Sequence, residues 1–361
     1  MSSVDPLAFL EEAVATPSHE DVEPMRTLLV ETLEEAGVEP DVYDGGAVLA
    51  HRGSGDGGVV LNTHLDTVAP HLPLEREDDV IRGRGACDAK GPLSAMLGAF
   101  LDTAVGDGRL TLAVTPDEEA TSAGAHALVA DDVLGSPEAV VVGEPTGLDV
   151  CTAAAGRVEL VVTIEGIPAH AATPDSGVNP IDALETVLPA LRTFDGHEAA
   201  HPTLGAPSLT PTAVRGGDAT NRTPERIEVV LDRRPVPPET AADLQPALAE
   251  HLREVVDDTV DLSVTLAARE TPYLEAWETD ETAPVVRALA AAAGGDVRPF
   301  EAATEASYFS TLAPTVVFGP GVLTDEVGAV AHSEREYVEI GDVERAHAAL
   351  TGTLEALLAS G

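Results

Sequence analysis

VVLNTHLDTVAP, residues 59–70, opens as a strand and closes on polar chemistry. Val59 to Leu61 are uninterrupted apolar residues, the pattern of a strand buried on both faces. His64 and Asp66 follow, and Pro70 ends the extended run because it has no N–H for a ladder. Side chains two residues apart in extended backbone share a face, so an imidazole and a carboxylate leave the strand end side by side. The pair is either a hydrogen-bonded strand terminus or one part of a metal site.

Outward from this stretch, short apolar strands are expected at 47–50, 58–62, 109–115 and 139–143, and GPLSAMLGAFLDTAV (91–105) reads as a buried helix between two of them. A further helix is expected over 22–36, with Met25, Leu28, Leu29 and Leu33 at helical spacing and Gly37 as its stop. Apolar strands alternating with helices predict an α/β domain with a mostly parallel sheet covered on both faces. From 157 the order changes: strand (RVELVVTIEG), helix (179–194, with Ile181, Leu184, Leu188 and Leu191 on one side), strands 208–214 and 226–234, helix 239–256, strand 260–268. That β-α-β-β-α-β order is the split unit of a ferredoxin-like α+β domain. Helix 283–294, strand 314–319 and helix 342–360 then resume the first style. The expected organisation is a catalytic domain of 1–156 and 270–361 interrupted by an inserted domain at 157–269.

The 361-residue chain is 44% hydrophobic, enough for sizeable cores, yet carries 63 Asp and Glu against 20 Lys and Arg, a formal charge of −43. Lys90 is the single lysine. So acidic a chain lacks the cations to neutralise phosphates, which argues against nucleic-acid binding, and self-repulsion of this size points to a salty, halophilic cytoplasm where screening removes it. Cys87 and Cys151 offer neither a disulfide framework nor a metal knuckle. The N-terminal residues lack a signal-peptide pattern, and no apolar run suffices to span a membrane, so a cytoplasmic protein without membrane association is expected.

Polar residues gather where strands end. RGRGACDAKGP (82–92) carries Asp88 into a helix start, VTPDEEATSAGA (114–125) puts Glu118 and Glu119 after a strand, VVGEPT (141–146) does the same for Glu144, and AVAHSERE (329–336) brings His332. Singly, Asp88 reads as an N-cap, the DEE run as a solvated loop and His332 as an ordinary surface histidine. Together they crowd carboxylates at the edge of a sheet where ligands bind in α/β folds, a repulsive arrangement that a divalent cation relieves. Two histidines with several carboxylates and no thiolate suit zinc, with cobalt or manganese as alternatives. A pair of ions needs a bridging carboxylate.

HLDTV, GRGACDAKGP, DEEATSAGA, GEPT and the late AHSE, in this order, resemble the acetylornithine deacetylase / succinyl-diaminopimelate desuccinylase / carboxypeptidase family of dinuclear metallohydrolases. The resemblance spans essentially the whole chain and implies two divalent ions. It makes Asp88 the bridging carboxylate, His64 and Glu144 ligands of one ion, and Glu119 and His332 ligands of the other. It makes Glu118 the general base and Asp66 the residue that orients His64. In the inserted domain it implies that His170 polarises the substrate carbonyl, typically across a homodimer interface, and that Asn221 and Arg233, or neighbouring Arg234, contact substrate. DRR (232–234) is equally a strand-end salt bridge by its residues alone. In ATEASYF (303–309), Glu305 replaces an Asp found in many relatives, in a segment that commonly lines the acyl-amino-acid pocket. Lys90 reads as a structural cation and Cys87 as packing. The implied reaction is hydrolysis of an N-acyl amino acid such as acetylornithine or succinyl-diaminopimelate. The alternatives are a dipeptidase or carboxypeptidase acting on short peptides, and a silent binding protein that keeps the fold.

Overall fold

A computed structural model describes residues 4–358 apart from 56, 107, 196–199 and 258. The chain divides into two compact units, one of 1–153, 278–300 and 304–361, the other of 154–277 and 301–303.

In the first unit, the four inner strands of the main sheet are parallel. Val59–His64 lies between Arg109–Thr115 and Ala139–Val142, and Thr315–Val317 pairs on the far side of Ala139–Val142. Val48–Gly53 adds antiparallel to Arg109–Thr115, and Asp41–Val42 to Val48–Gly53. Every residue of Val59–His64 and of Ala139–Val142 is buried, which is why these strands read as apolar runs rather than alternations. Their parallel direction sends His64, the segment after Thr115 and the segment after Val142 to one edge of the sheet. The helix Lys90–Asp102 is buried from Lys90 to Leu101 and packs with Pro6–Ala15 and Ile340–Leu358. Leu10, Leu61, Met96, Phe100, Val141 and Leu350 belong to this core.

The second unit is a four-stranded antiparallel sheet in the order Ser208–Gly216, Arg226–Arg234, Val158–Glu165, Asp261–Leu266. Its helices, Leu184–Leu191 and Ala241–Arg253, pack their buried faces into one core with alternate residues of Val158–Glu165. Thr240 starts the second helix by accepting the Asp243 N–H, an ordinary N-cap.

One expectation changes. The helix expected over 179–194 spans only Leu184–Leu191. Asn179 accepts the Ile181 N–H and donates to the Asp182 carboxylate, a local turn that competes with helix. Ile181 is consequently exposed, while Leu191 is buried and Leu184 and Leu188 pack against the core beside Val187 and Ala190. The helices Pro6–Ala15 and Ala123–Ala130 and the strand Val150–Ala154 had no counterpart in the sequence reading. Among the described residues, no helix is long and apolar enough to cross a membrane.

Candidate metal centre

His64 is the last residue of its strand and is almost completely buried. Its Nδ1 lies 3.0 Å from the Asp66 main-chain oxygen and 3.3 Å from an Asp66 carboxylate oxygen. A carbonyl oxygen only accepts, so Nδ1 carries a proton, and Nε2 is the nitrogen that would bind a metal ion once its own proton is displaced. Nε2 lies 3.2 Å from Asp88 Oδ1. The other Asp88 oxygen, Oδ2, lies 3.1 Å from His332 Nε2, which in turn is 2.8 Å from Glu119 Oε1. Asp88 thus turns one oxygen to each of two groups, His64–Asp88–Glu144 and Asp88–Glu119–His332, whose ligand-type atoms all lie within 4.8 Å of one another in each group. Glu144, just beyond Val142, accepts from Thr304 Oγ at 2.9 Å.

Asp66 does more than contact the histidine. Its two carboxylate oxygens accept the main-chain N–H groups of Glu118 at 3.1 Å and Glu119 at 3.0 Å, fixing the turn that presents both glutamates. His332 adopts φ 61, a left-handed conformation uncommon for a non-glycine residue and of a kind that gathers at functional sites.

The electrostatics describe an acidic cage. Burial pushes the Glu118 carboxyl well above the ordinary range, and Glu305, Glu119 and Asp88 push it the same way against an opposing pull from His64. Glu144 is raised well above its ordinary value by burial and then by Asp88 and Glu118. Burial alone would lower His64, but hydrogen bonds to Asp66 and Asp88 carry it well above the usual imidazole value. Hydrogen bonds to Asp88 and Glu119 lift His332 to about 10. Carboxyls driven toward neutrality beside imidazoles driven toward charge mark a cluster short of positive charge. The all-nitrogen-and-oxygen donor set and the tautomer fixed at His64 fit divalent cations.

The structure brings His64, Asp66, Asp88, Glu118, Glu119, Glu144 and His332 together within the first unit. His170 and Asn221 lie exposed in the second unit on adjoining segments, where the Ala171 N–H reaches the Asn221 carbonyl at 2.8 Å. His170 Nδ1 accepts the Ala172 N–H at 3.1 Å. Arg233 departs from the expectation of a substrate contact. It is 0% exposed, donates to Asp195 at 2.6 Å and to Glu239 at 2.8–3.0 Å, and lies over the Phe194 ring. The salt-bridge alternative is the one realised, because three carboxylate oxygens already occupy the guanidinium fork. Arg234 pairs with Asp232 at 2.7 Å. Glu305 is likewise buried, close enough to Glu118 to push its carboxyl upward. It accepts from Thr115 Oγ at 2.6 Å, and burial raises its carboxyl to about 8. Lys90 donates to the main-chain oxygens of Ala13 and Thr16, tying down the end of the first helix.

Sequence reasoning missed the groups behind the cluster: Thr304 on Glu144, and a buried pair, Arg84 and Glu336, beside Asp88. Arg84 sits in the glycine-rich approach to Asp88 and Glu336 four residues after His332. That adjacency was the available signal.

The sequence model of peptidase family M20/M25/M40 matches residues 60–356. A Pyrobaculum aerophilum protein named as a LysW-lysine/LysW-ornithine hydrolase is 34% identical over 352 residues, 95% of this chain and 94% of the relative. A Klebsiella pneumoniae acetylornithine deacetylase is 29% identical over 315 residues, 83% of this chain and 80% of the relative. Among solved structures, a tripeptidase from Staphylococcus aureus superposes with a TM-score of 0.77 at 17% identity, covering 99% of this chain and 100% of that one. A metallo-carboxypeptidase from Sulfolobus solfataricus gives 0.74 at 18% identity with the same coverage. A Bacillus subtilis protein described as a dinuclear metal-binding peptidase gives 0.71 at 16% identity, covering 98% and 97%.

Proposed function

The chain belongs to peptidase family M20/M25/M40, and from that premise we propose that it hydrolyses the amide bond of an N-acyl amino acid at a pair of divalent ions. The observation that carries the reading is the Asp88 carboxylate, one oxygen beside His64 and the other beside His332 and Glu119. Asp88 would bridge two ions, zinc first by its donor set, with His64 and Glu144 holding one and Glu119 and His332 the other. When bound, such ions lower the pKa of a water and polarise the scissile carbonyl.

The chain's own residues supply the remaining steps. Glu118 takes a proton from the attacking water and delivers it to the leaving amine, a transfer suited to a carboxyl raised toward neutrality. Asp66 holds that glutamate through its main-chain N–H while keeping His64 in the ligand tautomer. His170 accepts a main-chain N–H at Nδ1 and so has Nε2–H to donate; across a homodimer interface it would polarise the substrate carbonyl oxygen as it gains charge. Asn221 lies beside it for substrate contact. The four-stranded unit would serve as a homodimer surface, and the substrate would be a small molecule in the cytoplasm rather than a nucleic acid or membrane.

Two relatives named for acylated ornithine or lysine, at 34% and 29% identity, favour an amine side of that kind over a dipeptide. The acyl side is then acetyl, succinyl or a carrier. Purified protein supplied with zinc, cobalt or manganese in high salt should release amine from N-acyl ornithine or lysine faster than it cleaves dipeptides. Turnover of dipeptides alone would move the assignment to an exopeptidase, and no turnover of either panel would leave a binding protein.

A further inference from the structure

Behind the acidic cage lies a carboxylate that faces no ligand. Glu336 is 1% exposed, as is its partner Arg84, whose Nη1 donates to Glu336 Oε2 at 2.6 Å. The second oxygen, Oε1, accepts the main-chain N–H of Cys87 at 3.3 Å and of Asp88 at 3.2 Å. Two successive amides converging on one oxygen fix the peptide planes that lead into the Asp88 side chain. The same segments are zipped by backbone pairing. Tyr337–Glu339 runs antiparallel to Val80–Arg82, and the Gly83 N–H reaches the Glu336 carbonyl at 3.2 Å. The turn has no slack, for Gly321 holds φ +81 and a Cβ there would stand 2.5 Å from Cys87 Cβ.

We propose that Glu336 is a positioning residue for the metal centre: with Arg84 as its counter-charge, it clamps the Cys87–Asp88 amides and so sets where Asp88 points its two oxygens. The inference rests on the two-ion reading of Asp88. Because Asp88 belongs to both ligand groups, a shift of its backbone disturbs both at once, whereas loss of an outer partner of one ligand would weaken one. His332 stands four residues before Glu336, so one segment carries both a candidate ligand and the clamp that aligns the shared one. Glutamine cannot substitute. Oε1 faces two N–H donors and Oε2 a guanidinium, so either orientation of an amide puts its NH2 against a donor.

The test compares parent, Glu336→Gln, Glu336→Asp and a control, Leu354→Ala, which opens the buried apolar core of the first unit at a residue outside both ligand groups. Aspartate keeps a charge beside Arg84 but withdraws the acceptor by one methylene from the amides, so it reads the clamp even where glutamine prevents folding. Zinc affinity is measured by chelator competition, and melting of the metal-free proteins is followed in parallel. The expectation is a loss of affinity at both sites of about 10–100-fold in Glu336→Asp, with the control keeping parental affinity despite an equal or larger drop in melting temperature. A folded Glu336→Asp that binds two ions as the parent does overturns the clamp alone, as does a control that loses metal in step with its stability. A parent that binds no divalent ion overturns the two-ion reading and the clamp with it.

Discussion

Glu118 and Glu119 are sequence neighbours held by one carboxylate, yet only Glu119 reaches His332. Adjacent side chains of an extended or turning backbone diverge, and this divergence puts Glu119 in a ligand group and leaves Glu118 for the proton transfer proposed above. Glu118→Gln keeps the shape and removes the proton acceptor. It should lower kcat by about 10²–10⁴-fold while metal stoichiometry, measured by elemental analysis, stays at the parental value. Parental turnover in this variant would require another base. A second prediction concerns Arg233, whose buried guanidinium balances Asp195 and Glu239. Arg233→Met should destabilise the protein by roughly 3 kcal/mol, the order seen when one partner of a buried ion pair is removed, with KM unchanged in whatever fraction remains folded. A large rise in KM at unchanged stability would return Arg233 to substrate binding. His64, Glu119 and Glu144 were legible because each follows an apolar strand, and Asp88 because it leads into a helix, whereas His332 stood out only through its motif. Glu336 was not. Its partner Arg84 is 252 positions away in sequence, and SERE in so acidic a chain looks like a solvated run of charge.

At the scale of elements, parallel pairing does the positioning. Val59–His64, Arg109–Thr115 and Ala139–Val142 run the same way, so residues far apart in sequence emerge at one edge. The sequence carried this pattern, since strands buried on both faces cannot alternate. It also carried the β-α-β-β-α-β order of the second sheet, where hydrophobic period switches between two and helical spacing. Short pieces escaped it. Ala123–Ala130 has eight residues and Val150–Ala154 five, too few for periodicity to separate helix from strand. The helix is shorter than the apolar pattern over 179–194 because Asn179 and Pro180 sit ahead of it and the asparagine turn takes the backbone groups first. Asp66 shows how an element's end is fixed by one side chain. Asp66→Ala frees two main-chain N–H groups and the His64 ring together. It should cost 10–100-fold in activity or metal affinity by analogy with other outer partners of ligands, roughly. Chelator competition would reveal it, and an unchanged affinity and rate would reduce Asp66 to a local turn former.

The molecule as a whole carries a formal charge of −43, and its two units have separate apolar cores. Repulsion on this scale favours expansion at low ionic strength, and a Debye length that shrinks to about 3 Å in 1 M salt removes most of it. Melting temperature should therefore climb steeply between 0.1 M and 1 M potassium chloride, roughly the range over which screening acts; a flat profile would deny that the composition is a response to salt. The acid that crowds the surface also crowds the site, where Asp88 is buried beside two histidines. The central claim is that Asp88 joins two ions, and elemental analysis of purified protein equilibrated with zinc in high salt addresses it directly. The account predicts two equivalents bound per chain in the parent and the loss of both in folded Asp88→Ala. A parent that holds no metal, or an Asp88→Ala protein that still holds two equivalents, would contradict it.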